Sequence, residues 1–284
     1  MPVKQIASLS DISDEYDLIL CDVWGVLHNG VDAWAEAARA LMDARHAGKT
    51  VILITNSPRR SRDVVTQLQS LGVPDDAYDG IVTSGDVTRT LIAEGPRRIF
   101  HLGPDRDLSL FDGLDVELVE EFEASGVACT GLFDDEAETP QDYAEMLQRM
   151  RARDLPFICA NPDIVVERGD RLIWCAGSLA RDFGQLGGRT LIAGKPHRPI
   201  YQKAMKDAAA LMGTETPLSR ILAIGDGMTT DVKGAMMADI PLLFISDGIH
   251  AREYGSHGAP DLARMAEFLD DFGAEPVATM TKLR

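Results

Sequence analysis

Four short stretches of the chain are apolar at every position: residues 18–21, 51–54, 221–224 and 242–245. Continuous rather than alternating apolar residues over such lengths mark parallel strands buried on both faces. Helical spacing separates them, at residues 33–47 before Gly48, at 60–71 before Gly72 and at 200–212 between Pro199 and Gly213. Proline at the start and glycine at the stop is the expected asymmetry of a helix. Strand and helix in alternation predict a doubly wound, Rossmann-like α/β fold built on a parallel sheet.

The middle of the chain has a different texture. Its apolar segments are shorter, with strands predicted at 98–102, 116–118, 128–133, 157–159 and 172–175 and a helix at 141–153. The loop Cys159-Ala160-Asn161-Pro162-Asp163 lies among them. This pattern predicts a second α/β domain, residues 83–188, inserted between two halves of the first, residues 1–82 and 189–284. A length of 284 residues agrees, because one hydrophobic core usually stops growing near that size.

Composition narrows the function classes. With 45% hydrophobic and 26% charged residues, the chain has the balance of a soluble globular protein. Its net charge of −17 and lack of a basic stripe argue against nucleic acid as a partner. The same charge disfavours anionic membrane surfaces, and an anionic small molecule would need a local cation. Acid is concentrated between His101 and Met150, where Arg106 and Arg149 alone oppose it, the pattern of a solvated face. Cys21, Cys129, Cys159 and Cys175 form no C-x-x-C pair, which predicts reduced thiols and a cytoplasmic setting. The first residues lack the apolar core of a secretion signal, and no apolar run reaches the length of a membrane span.

In an open α/β sheet ligands bind beyond the carboxyl ends of the strands, so the residues that end the apolar runs are the candidates for chemistry. The first run ends in Asp22, the second in Thr55-Asn56-Ser57 and the third in Gly225-Asp226. One such carboxylate reads equally well as a helix cap. Two on separate buried strands are costly unless a cation sits between them, and an all-oxygen set suits Mg²⁺. Asp22 is then a nucleophile candidate, since a carboxylate can accept a phosphoryl group. Ser57-Pro58 reads as a capped helix start whose free N–H groups suit phosphate oxygens. Lys195 in Gly194-Lys195-Pro196 could supply positive charge. Asp247-Gly248-Ile249-His250, after the fourth run, reads either as a further wall of the site or as an ordinary strand exit. Neither a P-loop nor a dinucleotide fingerprint is present: Arg189 and Pro196 break the first pattern and Thr230 the second.

Taken in order, Asp22-Val23-Trp24-Gly25-Val26-Leu27, Thr55-Asn56-Ser57, Gly194-Lys195-Pro196 and Gly225-Asp226 running to Asp231 resemble the haloacid-dehalogenase-like hydrolase superfamily. The Thr-Asn-Ser segment, the inserted domain after it and the Asn161-Pro162-Asp163 loop look like its class IIA branch of phosphatases. The resemblance implies an inserted α/β cap domain and a Mg²⁺-dependent phosphoric monoester hydrolase acting through an aspartyl phosphate. It implies Asp22 as nucleophile and metal ligand, with the Trp24 carbonyl, Asp226 and Asp231 completing the metal site. Thr55 and Asn56, with Ser57 beside them, would hold the phosphoryl group, Lys195 would neutralise it, and Asn161 and Asp163 would select the substrate. Cap-to-cap pairing is common in similar proteins, so a homodimer through the cap is an expectation.

One position departs from the pattern. Phosphatases of this family generally carry a second aspartate two residues after the nucleophile, as general acid and base. Trp24 stands there, and an indole N–H has no useful acidity. His28 and Asp163 are candidates to replace it, with His28 also readable as a turn residue before Asn29-Gly30. The resemblance therefore implies a small phosphorylated metabolite as substrate and handicapped proton transfer. The alternative is a non-catalytic phosphometabolite-binding or regulatory protein of the same fold, against which the retained Asp22 argues. A dehalogenase attacking carbon would leave Asp226 and Asp231 without purpose.

Overall fold

The computed structural model describes residues 4–284. In chain order the strands are β1 (Leu18–Asp22), β2 (Thr50–Thr55), β3 (Gly80–Thr83), β4 (Arg98–Leu102), β5 (Glu117–Leu118), β6 (Gly126–Cys129), β7 (Phe157–Cys159), β8 (Val165–Arg168), β9 (Arg171–Trp174), β10 (Thr190–Ile192), β11 (Ile221–Gly225), β12 (Leu242–Ile245), β13 (Gly255–Ser256), β14 (Ala259–Pro260) and β15 (Ala278–Met280). The helices are α1 (Ala35–His46), α2 (Ser61–Ser70), α3 (Ser84–Ala93), α4 (Ala144–Ala152), α5 (Ala176–Gln185), α6 (Arg198–Met212), α7 (Lys233–Ala238) and α8 (Leu262–Asp271). None of them is long and apolar enough to cross a membrane, among the described residues.

Contacts divide the chain into two compact units. One comprises the described residues through Thr55, Val65–Val82 and Lys195–Arg284, and the other Asn56–Val64 and Thr83–Gly194.

The first unit is built on a sheet of order β15-β12-β11-β1-β2-β3. The four continuous apolar runs are its four inner strands, paired in parallel. Every residue of β1, β11 and β12 is buried, as helices covering both faces require. The chain steps outward from β1 through β2 and then returns to β1's other side at β11. The order thus reverses between β1 and β11, and the carboxyl ends of these two strands flank the crevice that such a reversal opens. Pro199 lies in the first turn of α6, and Gly213 closes it in the left-handed conformation at φ 73°, which costs a glycine little.

The second unit carries a parallel sheet of order β10-β7-β6-β4-β5. Alternate residues face opposite sides. Leu102, Val127, Cys129 and Phe157 pack with Leu147, Met150, Leu179 and Phe183, while Ile99, Ala128 and Ile158 pack with Ile92 and Leu110. The Phe157 and Phe183 rings stack at 5.0 Å.

The strand expected at 128–133 is Gly126–Cys129 instead. Beyond it the chain leaves the sheet, and the amide of Phe133 donates to the Tyr143 hydroxyl at 2.6 Å. The helix expected at 141–153 divides into a 3-10 turn at Pro140–Tyr143, closed by a Thr139–Asp142 capping box, and α4. All four cysteines are buried and free.

Candidate active site

Asp22 ends β1, and Asp226 follows the last residue of β11, so the two carboxylates stand at the carboxyl edge of adjacent strands. Asp231 reaches the same place by another route. Residues Met228–Val232 form a π-helical turn, a wider coil than the α-helix and one frequently found at functional sites. The Asp231 side chain packs back on Gly225, where a β-carbon would lie 2.2 Å from its Cγ. Its Oδ2 accepts from the Gly227 amide at 3.1 Å.

Lys195, beyond the Gly194 that closes the other unit, is buried among them. Its Nζ donates to Asp22 Oδ1 at 2.5 Å and to Asp231 Oδ1 at 2.7 Å. One ligand atom from each of Asp22, Asp226 and Asp231 can be chosen so that all lie within 4.8 Å of one another.

Three buried acids against one lysine leave the cluster short of positive charge. Burial first, then the charges of Asp231 and Asp226, push the Asp22 carboxyl well above its usual range, with Lys195 opposing. Burial and the Asp231 charge push Asp226 up to about 7. A group of crowded, hard oxygen donors in this state fits a divalent cation of the Mg²⁺ type, which would relieve the repulsion that raises these acids. Asp22, Asp226 and Asp231 are the side chains that would hold it.

The walls of this cluster are largely glycine and backbone. Gly25 has φ +86°, and a β-carbon there would stand 2.4 Å from Asp226 Oδ2. The amide of Ile249 donates to the same Oδ2 at 2.8 Å. His250 Nε2 accepts from the Met228 amide at 3.2 Å. The turn after β12 is therefore a wall of the site, through Gly248, Ile249 and His250. The Asp247 carboxylate turns elsewhere, to the Gly258 amide, His257 and Lys282. The segment's position after a buried strand marks it as a possible wall in the sequence, but nothing there shows that the contact to Asp226 runs through the Ile249 backbone amide.

Thr55 is the last residue of β2, one beyond Ile54, the register partner of Asp22. Asn56, Asn161 and Asp163 meet within the second unit: Asn56 Nδ2 donates to Asp163 Oδ1 at 2.8 Å, and the Asp163 amide donates to Asn161 Oδ1 at 3.1 Å. Ser57 does not open a helix. α2 begins at Ser61, and the Ser57 hydroxyl accepts from the Arg59 amide at 3.3 Å. The chain needs these extra residues before the Arg60 carbonyl can accept from the Asp63 and Val64 amides. The helix-terminus argument for phosphate binding at Ser57 therefore falls.

Trp24 lies in a tight turn after Asp22, closed by the Gly25 amide on the His28 carbonyl at 2.9 Å. Its ring meets that of His28 edge-on at 5.0 Å. His28 is 1% exposed, its Nδ1 accepts from the Gly30 amide at 2.9 Å, and burial holds its pKa down at about 4. It is a neutral turn residue rather than a proton donor.

Comparison with known proteins matches two family models, described as haloacid dehalogenase-like hydrolase over residues 19–117 and HAD-hydrolase-like over residues 192–273. A crystal structure of a hydrolase of the haloacid dehalogenase-like family from Brucella suis 1330 is similar at 60% identity, covering 98% of this chain and 100% of that one, with a TM-score of 0.90. The 5'-nucleotidase YutF of Bacillus subtilis is 23% identical, covering 90% of this chain and 95% of the relative. The glycerol phosphate phosphatase of Mycobacterium tuberculosis in complex with magnesium is 24% identical, covering 89% of this chain and 77% of that one, with a TM-score of 0.64.

Proposed function

The chain belongs to the haloacid dehalogenase-like hydrolases and is a phosphoric monoester hydrolase, and from that premise we propose a Mg²⁺-dependent phosphatase of small phosphorylated metabolites that works through an aspartyl phosphate on Asp22. The observation that carries this reading is the buried set of Asp22, Asp226 and Asp231 around Lys195 at the carboxyl edge of the sheet. A similar fold in a phosphatase holding magnesium supports the choice of metal.

In this reading Asp22 attacks phosphorus in line, and the bond to the alcohol oxygen breaks as the new Asp22–phosphorus bond forms. Lys195 favours the charged form of Asp22 against the burial that opposes it and offsets the negative charge of the transferring group. Thr55, one position beyond Asp22's strand partner, positions that group, and Asn56, Asn161 and Asp163 act on the choice of substrate. The three carboxylates and the Trp24 carbonyl would hold the divalent metal, which would supply positive charge to the transferring phosphoryl group. Trp24 gives no proton to the departing alcohol, so esters with acidic alcohols are the better substrates. A reducing, cytoplasmic setting fits the four free thiols.

Phosphate release from p-nitrophenyl phosphate and from an alkyl phosphate, with Mg²⁺ and with EDTA, tests the proposal. Metal-dependent release that disappears in Asp22→Asn is the expected result. Release that survives either EDTA or Asp22→Asn would sink it.

A further inference from the structure

The second unit has a reversal of its own. From β4 the chain goes to β5 on one side, then places β6, β7 and β10 on the other. The carboxyl ends of β4 and β6 thus flank a second crevice of the kind in which open parallel sheets bind ligands. β4 and β6 pair through Leu102 and Cys129, which brings Gly103 and Thr130 side by side at that edge. A β-carbon at Gly103 would lie 2.0 Å from Thr130 Oγ1 and 3.1 Å from His101 Nε2, so the polar groups occupy the space a side chain would take.

Those groups form two pairs. His101 Nε2 and Thr130 Oγ1 are 2.9 Å apart, and burial keeps the imidazole neutral, with its pKa down at about 4. Asp107, in the 3-10 helix that opens after Pro104, is 2% exposed. Arg59 Nε pairs with its Oδ1 at 3.5 Å, too long for a well-formed hydrogen bond, and among the described residues no other donor reaches that oxygen. A buried acceptor without a donor is unfavourable in itself. Burial pushes the Asp107 carboxyl up, while Arg59, Arg106 and the Thr130 hydroxyl hold it down.

The chemistry selects the ligand. Asp107 needs a donated hydrogen, but Arg59 and Arg106 beside it disfavour an ammonium group. A neutral imidazole paired with a hydroxyl both donates and accepts, as ligand hydroxyls do. We propose that this edge, at His101, Thr130, Asp107 and Arg59, binds a polyhydroxylated small molecule whose hydroxyls bond to Asp107 and to the His101–Thr130 pair. The inference rests on the phosphatase reading only in the choice of phosphorylated probes.

The test is calorimetric binding of D-ribose 5-phosphate, D-glucose 6-phosphate and glycerol 3-phosphate to the full chain and to its Asp107→Asn and Thr130→Val variants. To block turnover, each protein also carries Asp22→Asn. The expected result is that at least one sugar phosphate binds, and that Asp107→Asn weakens it about tenfold, the loss of one buried hydrogen bond. Thr130→Val should weaken it severalfold, with the melting temperature of the unliganded protein little changed. Should Asp107→Asn fail to fold, Thr130→Val and His101→Gln carry the same comparison. Binding of none of the three, or equal affinity in every folded variant, overturns the proposal. Hydrolysis of p-nitrophenyl phosphate by the otherwise unmodified chain reports on the phosphatase reading separately, because that ester has no hydroxyl for this edge to hold.

Discussion

Gly248 lies directly against Asp226: a β-carbon at position 248 would stand 1.9 Å from Asp226 Oδ2, the oxygen that also accepts the Ile249 amide. A single methyl group here must displace the carboxylate or the turn. Gly248→Ala is therefore expected to weaken Mg²⁺ activation by roughly 10–100-fold, the usual effect of losing a group that orients a metal ligand. The measurement is the Mg²⁺ concentration giving half-maximal turnover of p-nitrophenyl phosphate. An unchanged value would mean that Asp226 does not serve the metal.

Metal binding should be visible without any turnover. A ligand that binds the folded state alone stabilises it by about 2.7 kcal/mol at a hundredfold excess over its dissociation constant. Mg²⁺ is expected to raise the melting temperature of the wild type and to have little effect on Asp226→Asn. Thermal denaturation with Mg²⁺ and with EDTA distinguishes the two.

Lys195 is the positive partner of two buried carboxylates. Its replacement by methionine keeps the volume and removes the charge, leaving Asp22 and Asp231 to face each other. Breaking a buried ion pair from one side costs about 3–5 kcal/mol where no proton compensates; proton uptake by these acids should reduce that. Lys195→Met is expected to melt at lower temperature and to lose at least about 10²-fold in kcat, as read by steady-state kinetics and denaturant titration.

Position 24 predicts a substrate preference. A carboxylate introduced by Trp24→Asp would be able to give a proton to the departing alcohol, and general acid–base assistance is worth about 10²–10⁴-fold. The variant should gain on an alkyl phosphate relative to p-nitrophenyl phosphate. If the ratio of kcat/KM for the two esters stays fixed, position 24 does not govern proton transfer.

His28 predicts an acid limb in stability. Its folded pKa, about 4, lies below the ordinary histidine value of 6.5, so in the pH window between them the unfolded chain binds the extra proton. Stability contributed by this group is present above pH 6.5 and is lost as pH falls toward 4, by up to about 3 kcal/mol. His28→Asn should therefore lose less stability than wild type between pH 7 and pH 4.5 in denaturant titrations. Parallel curves would show that His28 titrates normally.

Much of this was visible in the sequence because buried parallel strands leave an unusually clean trace. The run at residues 242–245 became β12 without change, Asp22 and Asp226 could be singled out as acids where apolar runs stop, and Lys195 stood out in Gly194-Lys195-Pro196 as a cation for an anionic ligand. What was hidden depends on contacts distant in the chain or on local geometry with no compositional mark. Ile249 holds Asp226 through a backbone amide, which any residue possesses. Ser57-Pro58 imitates a helix start, yet the first helical carbonyl belongs to Arg60. The polar pair of His101 and Thr130 joins two strands whose adjacency only the topology determines.

The π-helical turn at Met228–Val232 makes chain length a heritable requirement at this site. A wider coil holds one residue more than an α-turn of the same span, and each residue of a helix turns the chain by about 100°. Losing one residue between Asp226 and Asp231 would swing that carboxylate away from Lys195 while leaving composition almost untouched. A point substitution at the exposed Thr229 leaves this geometry in place, but a deletion there would be purged. Alignments of diverging descendants should accordingly show a gapless interval between these two acids.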